Sequence, residues 1–302
     1  MIRASSSIAA AVGVCLLVAT HGHAAEALRW KFAAGDAFET SISHEMQLDL
    51  DGPSGKLTTT AREELDMTWR VRGATLTGDA VLAGKCDRVR ASLTDADREG
   101  LEFDSAVEEA TAGLAAMIAP MYEAMNDGEY QVTVSPRGEV REVQLPPDFE
   151  QTIRTAPGAE STGQDAAVDA LRAVVTRWIV ELPADPPTVG QTWSTRTPVH
   201  IPAAKSAAVI SEYRYDGTRE VDGRTCAVIL VDWKLDVQAD EGAATSVEDQ
   251  QTKGEVLFDA GTGRLRAMSI DHRATLEIGR AGQVMRGTIA QRVAVQVRGT
   301  TE

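Results

Sequence analysis

The side chains best able to do chemistry in this sequence are few. Beyond the first 24 residues the histidines are His44, His200 and His272. His44 and His272 fall on the apolar phase of alternating runs, so a sheet could bring them together. A histidine set among Met, Ile and Leu reads first as a hydrogen-bonded core residue. A zinc-protease helix is excluded, since His44-Glu45 is followed by Met46, Gln47 and Leu48 rather than a second histidine at the required spacing. Asp95, Asp97, Glu99 and Gly100 imitate the start of a calcium loop, but Ala106 stands where the closing carboxylate belongs. These residues, like Asp49-Leu50-Asp51-Gly52, therefore read as solvated turns. Glu63-Glu64 and Glu108-Glu109 are adjacent carboxylates, which a strand would send to opposite faces. No GxSxG, phosphate-binding loop or dinucleotide fingerprint occurs, and Gly261-Thr262-Gly263 reads as a hairpin turn. The sequence thus nominates no catalytic residue, no metal ligand and no cofactor site.

Two features point instead to binding. Met117, Met121 and Met125 recur at helical spacing, and methionine suits adaptable apolar surfaces. With Trp69 and Trp233 they are the candidate lining of an apolar cleft, although an amphipathic helix over a sheet first packs as core. Cys86 and Cys226 could pair in an oxidising compartment, or lie apart as small buried hydrophobes, which is the favoured reading. No CxxC redox motif is present.

Positioning these residues falls mainly to strands. Ile42, His44, Met46, Leu48 and Leu50 alternate with Ser43, Glu45, Gln47 and Asp49. The same period of two runs through Leu65, Met67, Trp69 and Val71, through Ala227 to Val237, through Met268 to Ile278, and through Met285 to Val297. Turns such as Asp51-Gly52-Pro53, Asp222-Gly223 and Asp259 to Gly263 separate them. The middle changes period. Ser105 and Glu108 form a capping box ahead of a helix kinked at Pro120, and a second helix is expected from Asp165 to Leu182. Between them Tyr130, Val132 and Val134 read as a strand. The expected fold is α+β: a large, twisted, mainly antiparallel sheet with a helical section over residues 104–182 covering one face, between β-rich parts at 28–103 and 188–298. Gly35-Asp36-Ala37-Phe38 parallels Gly190-Gln191-Thr192-Trp193, and Trp69, Val71, Gly73 and Gly78 parallel Tyr213, Tyr215, Gly217 and Gly223. Duplication of two halves explains this, and so does the shared grammar of hairpins.

Composition narrows the partners. Thirty Lys+Arg against forty-five Asp+Glu give a net charge of −15, which repels nucleic acid. Met1-Ile2-Arg3, an apolar run from Ile8 to Ala19 and small residues to Ala24 have the parts of a secretory signal over residues 1–24. Its core is too short for a lasting membrane anchor. The remainder, 25–302, is expected to be one exported domain, periplasmic or secreted.

Several short segments carry a family resemblance: Leu28 to Phe32 with Gly35-Asp36, Met67 to Val71, Asp87 to Arg90, Glu102 to Ser105, Val134 to Val140, Val189 to Trp193 and Gly254 to Asp259. Together they resemble a family of exported bacterial proteins of unknown function, common in planctomycetes. That resemblance implies no activity and no catalytic residues. A looser, fold-level likeness is to periplasmic carriers of lipoproteins and lipids, built on a curved antiparallel sheet around an apolar cleft. The function expected is a non-catalytic module binding an apolar small molecule or an envelope protein. The alternatives are an envelope-assembly protein without small ligand, or an enzyme whose site has no familiar signature.

Overall fold

The structure is a computed structural model that describes residues 27–52, 55–95, 98–107, 122–126, 128–155, 164–199, 204–239, 244–280 and 283–299. The leader read at 1–24, His200, Met117, Met121 and most of the first expected helix lie outside the described residues.

Twelve strands form one sheet. They are β1 (Ala37–Gly52), β2 (Gly55–Ala74), β3 (Ala80–Asp95), β4 (Arg98–Asp104), β5 (Glu129–Val134), β6 (Val140–Gln144), β7 (Thr192–Val199), β8 (Ala204–Val221), β9 (Arg224–Ala239), β10 (Ala244–Asp259), β11 (Arg264–Arg280) and β12 (Gln283–Gly299). Their order is β6-β5-β3-β2-β1-β12-β11-β10-β9-β8-β7, with β4 also paired to β3. Each half of the chain is therefore a meander, and the first and last strands join the halves, antiparallel from Phe38↔Gly299 to Asp51↔Arg286. The architecture is an antiparallel sheet far more than an even α+β mixture. Within 104–182 the described helices are a turn at residues 122–126, α1 (Pro147–Thr155) and α2 (Gln164–Thr176), while β5 and β6 from the same segment join the sheet.

The halves repeat the same local construction. Gly35 N–H donates to the Val71 carbonyl (2.9 Å) and Val71 N–H to Asp36 (2.8 Å); Gly190 donates to Tyr215 (2.8 Å) and Tyr215 to Gln191 (3.0 Å). Gly35 and Gly190 have φ of 91° and 88°, the left-handed region that glycine enters without strain. A register shift follows in both halves, at Val71/Gly73 and at Tyr215/Gly217.

Pleating sends alternate side chains to opposite faces. On the outer face the residues are charged and cross-paired, as in Arg90 Nε to Glu64 (2.7 Å) and the two-pronged Arg219–Glu255 pair (2.8 Å each). One row of the inner face runs Val89, Leu65, Ile42, Val295, Met268, Val256, Ile229 and Tyr215 across eight strands. Over this near half of the strands packs an aromatic cluster. Trp178, fully buried, meets Trp30, Phe38 and Trp69 at centroid distances of 5.3–5.5 Å. The helix expected to reach Leu182 ends at Thr176, because Trp178, Val180 and Leu182 are buried with a period of two and the chain there is extended. Trp30 Nε1 donates to Val180 O (2.9 Å), Leu182 N to Arg137 O (2.7 Å) and Trp193 Nε1 to Glu181 O (2.9 Å), so outside partners take up groups a helix would have bonded internally.

Between β9 and β10 the sheet forks. Their ladder runs from Cys226↔Asp259 to Val231↔Gly254 and then stops. Asp249 adopts a φ of 48° beside the register shift between Glu248 and Gln251. Beyond the fork, side chains replace the ladder. Thr252 Oγ1 accepts from Trp233 N (3.1 Å) and donates to Trp233 O (2.8 Å), while Gln250 accepts from Leu235 N (2.6 Å) and donates to Leu235 O (3.0 Å).

Candidate functional site: the open half of the inner face

The far half of the inner face, towards the β1–β2 and β11–β12 hairpin ends, is built differently from the near half. Register places Leu48, Ile289 and Ala274 in one row, then Leu50, Gly287, Leu276 and Val247, and last Met285 and Ile278. Beyond the fork, Leu235 faces Val209 and Val237 faces Ala207. These apolar side chains stand outside the core cluster; Leu50, Ala274, Leu276 and Ala207 are buried within the sheet surface, while Leu48, Ile289, Leu235, Val209, Val247 and Ile278 are half-buried. The sequence has made one continuous apolar face, of which the aromatic cluster covers the near part.

A polar belt separates the two parts. His44 sits opposite Glu63 on one side and Val293 on the other; one step further, Met46, Gln291, His272 and Thr252 lie in a row. His44 Nδ1 is 3.7 Å from Glu63 Oε2, and Tyr122 OH donates to Glu63 Oε1 (3.3 Å). The His44 imidazole beside it holds the Glu63 carboxyl below its usual range against the opposing pull of burial. Arg177, from the turn after α2, adds a positive charge facing Glu63, and burial pushes its own pKa down. Burial raises the Tyr122 phenol, with the Glu63 charge adding to it.

His272, 8% exposed, has Nδ1 2.9 Å from Thr252 Oγ1. That hydroxyl gives its single proton to Trp233 O, so the neutral imidazole offers Nδ1–H in return. Desolvation lowers the His272 pKa, offset in part by Asp232. His44 and His272 do not meet: β12 lies between their strands, and their rows differ.

The residues proposed from sequence divide clearly. Trp69 and Met125 are sealed in the packed core, at 0% and 3% exposure, where Trp69 Nε1 donates to Thr40 (3.0 Å) and Met125 O accepts from Tyr130 (3.0 Å). Trp233 is half-buried on the inner face at the fork, beside the polar belt. Cys86 and Cys226 are both buried and free, so the paired alternative does not form: β3 and β9 stand six strands apart in the sheet. Among the described residues no group of three His, Cys, Asp or Glu is placed to hold a metal. Tyr122 and Arg177 were not singled out from sequence, and Glu63 only as one of two adjacent carboxylates bound for opposite faces. Only the β1–β2 register brings Glu63 beside His44, and alternation alone cannot supply a register.

Chemically the belt offers hydrogen-bond donors and acceptors of both signs beside a broad apolar surface. Two hollows are lined by charged groups. One of about 510 Å³ is flanked by Arg62, Arg90, Glu64 and Asp104; one of about 550 Å³ lies at the belt itself, touching Met46, Thr252, His272 and Gln291 together with the charged Glu45, Lys253, Asp271 and Arg292. Much of their charge is already spent on ion pairs within the sheet.

No family model and no curated protein matches the chain. The resemblance to the exported planctomycete family therefore rests on its short segments alone. Among solved structures, one titled for lipid–protein interactions in lipovitellin aligns over 90% of this chain with a TM-score of 0.51 and 12% identity. This chain spans only 26% of that one. An outer membrane channel from Pseudomonas putida F1 aligns over 89% of this chain and 97% of its own, at a TM-score of 0.30 and 7% identity. A DUF1329 family protein from Desulfovibrio piger aligns over 88% and 87% respectively, at 0.17 and 9%. The lipovitellin alignment alone bears on architecture: in fold, this chain is similar to about a quarter of that lipovitellin chain.

Proposed function

We propose that this chain is an exported, non-catalytic binding protein, one domain over 25–302, that holds an apolar ligand of lipid type on the far half of its inner face. The observation that carries this reading is the surface itself: Leu48, Ile289, Leu235 and Val209 lie outside the core and half-exposed, against a polar belt at His44, Gln291 and His272. A soluble sheet with one charged face normally buries the other completely. The lipovitellin structure, whose title concerns lipid–protein interactions, lends support at the level of fold. The exported setting and the family resemblance remain part of the proposal, on the leader-like segment and the quoted motifs.

Delipidated protein titrated with a fluorescent fatty acid should show saturable uptake. Leu235→Asp and Ile289→Asp, which put charge on the apolar field, should weaken it at least about tenfold, since each replaces a buried aliphatic contact by a desolvated carboxylate. A wild-type protein that takes up no probe, yet holds a stable partner from an envelope extract, would move the assignment to envelope assembly.

A further inference from the structure

We infer that the adjoining ends of the β1–β2 and β11–β12 hairpins dock into a lipid bilayer, and that an amphiphile passes from it onto the inner face. This deepens the ligand reading above and rests on it.

The hairpins are neighbours, because β1 pairs with β12 up to Asp51↔Arg286. Of the seven large apolar side chains exposed among the described residues, three gather there, Leu57 at 37%, Val284 at 39% and Met285 at 37%, whereas the more exposed Leu76, Val107, Val140 and Val189 stand elsewhere. Leu57 shares the inner face with Leu50, and Met285 shares it with Ile278; the Met285 side chain also lies against Gly52 of the other hairpin. Val284 pairs with Gly279 and points to the opposite face. Apolar side chains on both faces of one end suit immersion, whereas a partner laid against the sheet would meet only one of them. The cations Lys56 and Arg286 stand at this end with Asp51 and Glu277, which leaves it near neutral in a chain of net charge −15. It is thus an end that a lipid surface does not repel.

Order along the strands matches the order within a leaflet. From the belt at Met46 to the end at Gly52 is six residues, about 20 Å at 3.4 Å each. One leaflet contributes about 15 Å of hydrocarbon, half the ~30 Å core. A lipid rising headgroup first along β1 and β12 would bring its head to His44 and Gln291, beside the buried His272, and leave its chains across Leu48, Ile289 and Ile278. It need not turn over on the way.

The test uses the full mature chain and phosphatidylcholine vesicles in a flotation gradient, with uptake of dissolved fluorescent fatty acid measured in parallel. Val284→Asp is the decisive variant, because Val284 lies off the ligand field; circular dichroism and thermal melting confirm that it folds. The expected result is a vesicle-bound fraction lowered roughly tenfold or more, with probe uptake unchanged. Val284→Leu should float like the wild type. Wild-type protein that fails to float, or Val284→Asp that floats equally well, overturns the docking. Leu235→Asp separates the two claims: lost uptake with intact flotation supports docking at an end distinct from the ligand field. If the wild type floats through Val284 but takes up no probe, the docking stands and the ligand reading fails.

Discussion

At the scale of single residues, close approaches decide what the inner face tolerates. Trp69 lies over Gly84 so closely that a Cβ there would sit 2.5 Å from the ring. Gly84→Val should cost about 2 kcal/mol by overpacking, seen as a lower denaturant midpoint with tryptophan fluorescence altered. His272 predicts a pH effect. Its folded pKa lies below the ordinary 6.5, so below about pH 6.5 the unfolded chain binds more protons and stability falls as pH drops through the folded value. Melting measured across this range should show the loss, and His272→Gln should flatten it. Burial pushes the Cys86 thiol up to about 12 and raises that of Cys226 as well. Native protein should therefore react slowly with a thiol reagent, and in protein prepared without residues 1–24, which carry Cys15, two groups should appear on denaturation without reductant. Alternation was enough to put His44 and His272 on the packed phase and to send Glu63 and Glu64 to opposite faces. It could not show which strand lies beside which, so the meeting of His44, Glu63, Tyr122 and Arg177 was hidden.

At the scale of elements, the fork between β9 and β10 is held by two side chains where other strands have a ladder. Replacing both, as Thr252→Val with Gln250→Ala, should raise amide exchange at Trp233 and Leu235 while Ala227 to Val231 stay protected. Unchanged exchange would mean that the fork is held by something else. Nothing in the sequence marks this fork, since a strand that loses one neighbour keeps its alternation. Helix α1 went unrecognised although Pro147 at its start and Asp148 and Glu150 in its first turn are favourable signals, because nine residues are too few to establish a period. The overextension of α2 has a related cause. Trp178, Ile179 and Leu182 fit a helical stripe on paper, while Trp178, Val180 and Leu182 fit an extended one, and the backbone partners of Val180, Glu181 and Leu182 decide for the second.

For the molecule as a whole, composition and period indicated a large antiparallel sheet with one wet face, but not that, among the described residues, its apolar face would keep half-buried side chains outside the core cluster. Coverage depends on where Trp30 and Trp178 settle, a matter of tertiary packing that no local pattern records. The pairing of β1 with β12 has a further consequence, for assembly. The two meanders can form early, each from neighbouring hairpins, but the seam between them waits for the final strand of the chain. A contact of such sequence separation is slow to close. Until it does, Leu48 and Ile289 each lie on an unmated edge, so a truncation that removes β12 should leave two sticky halves prone to aggregation rather than a smaller stable protein.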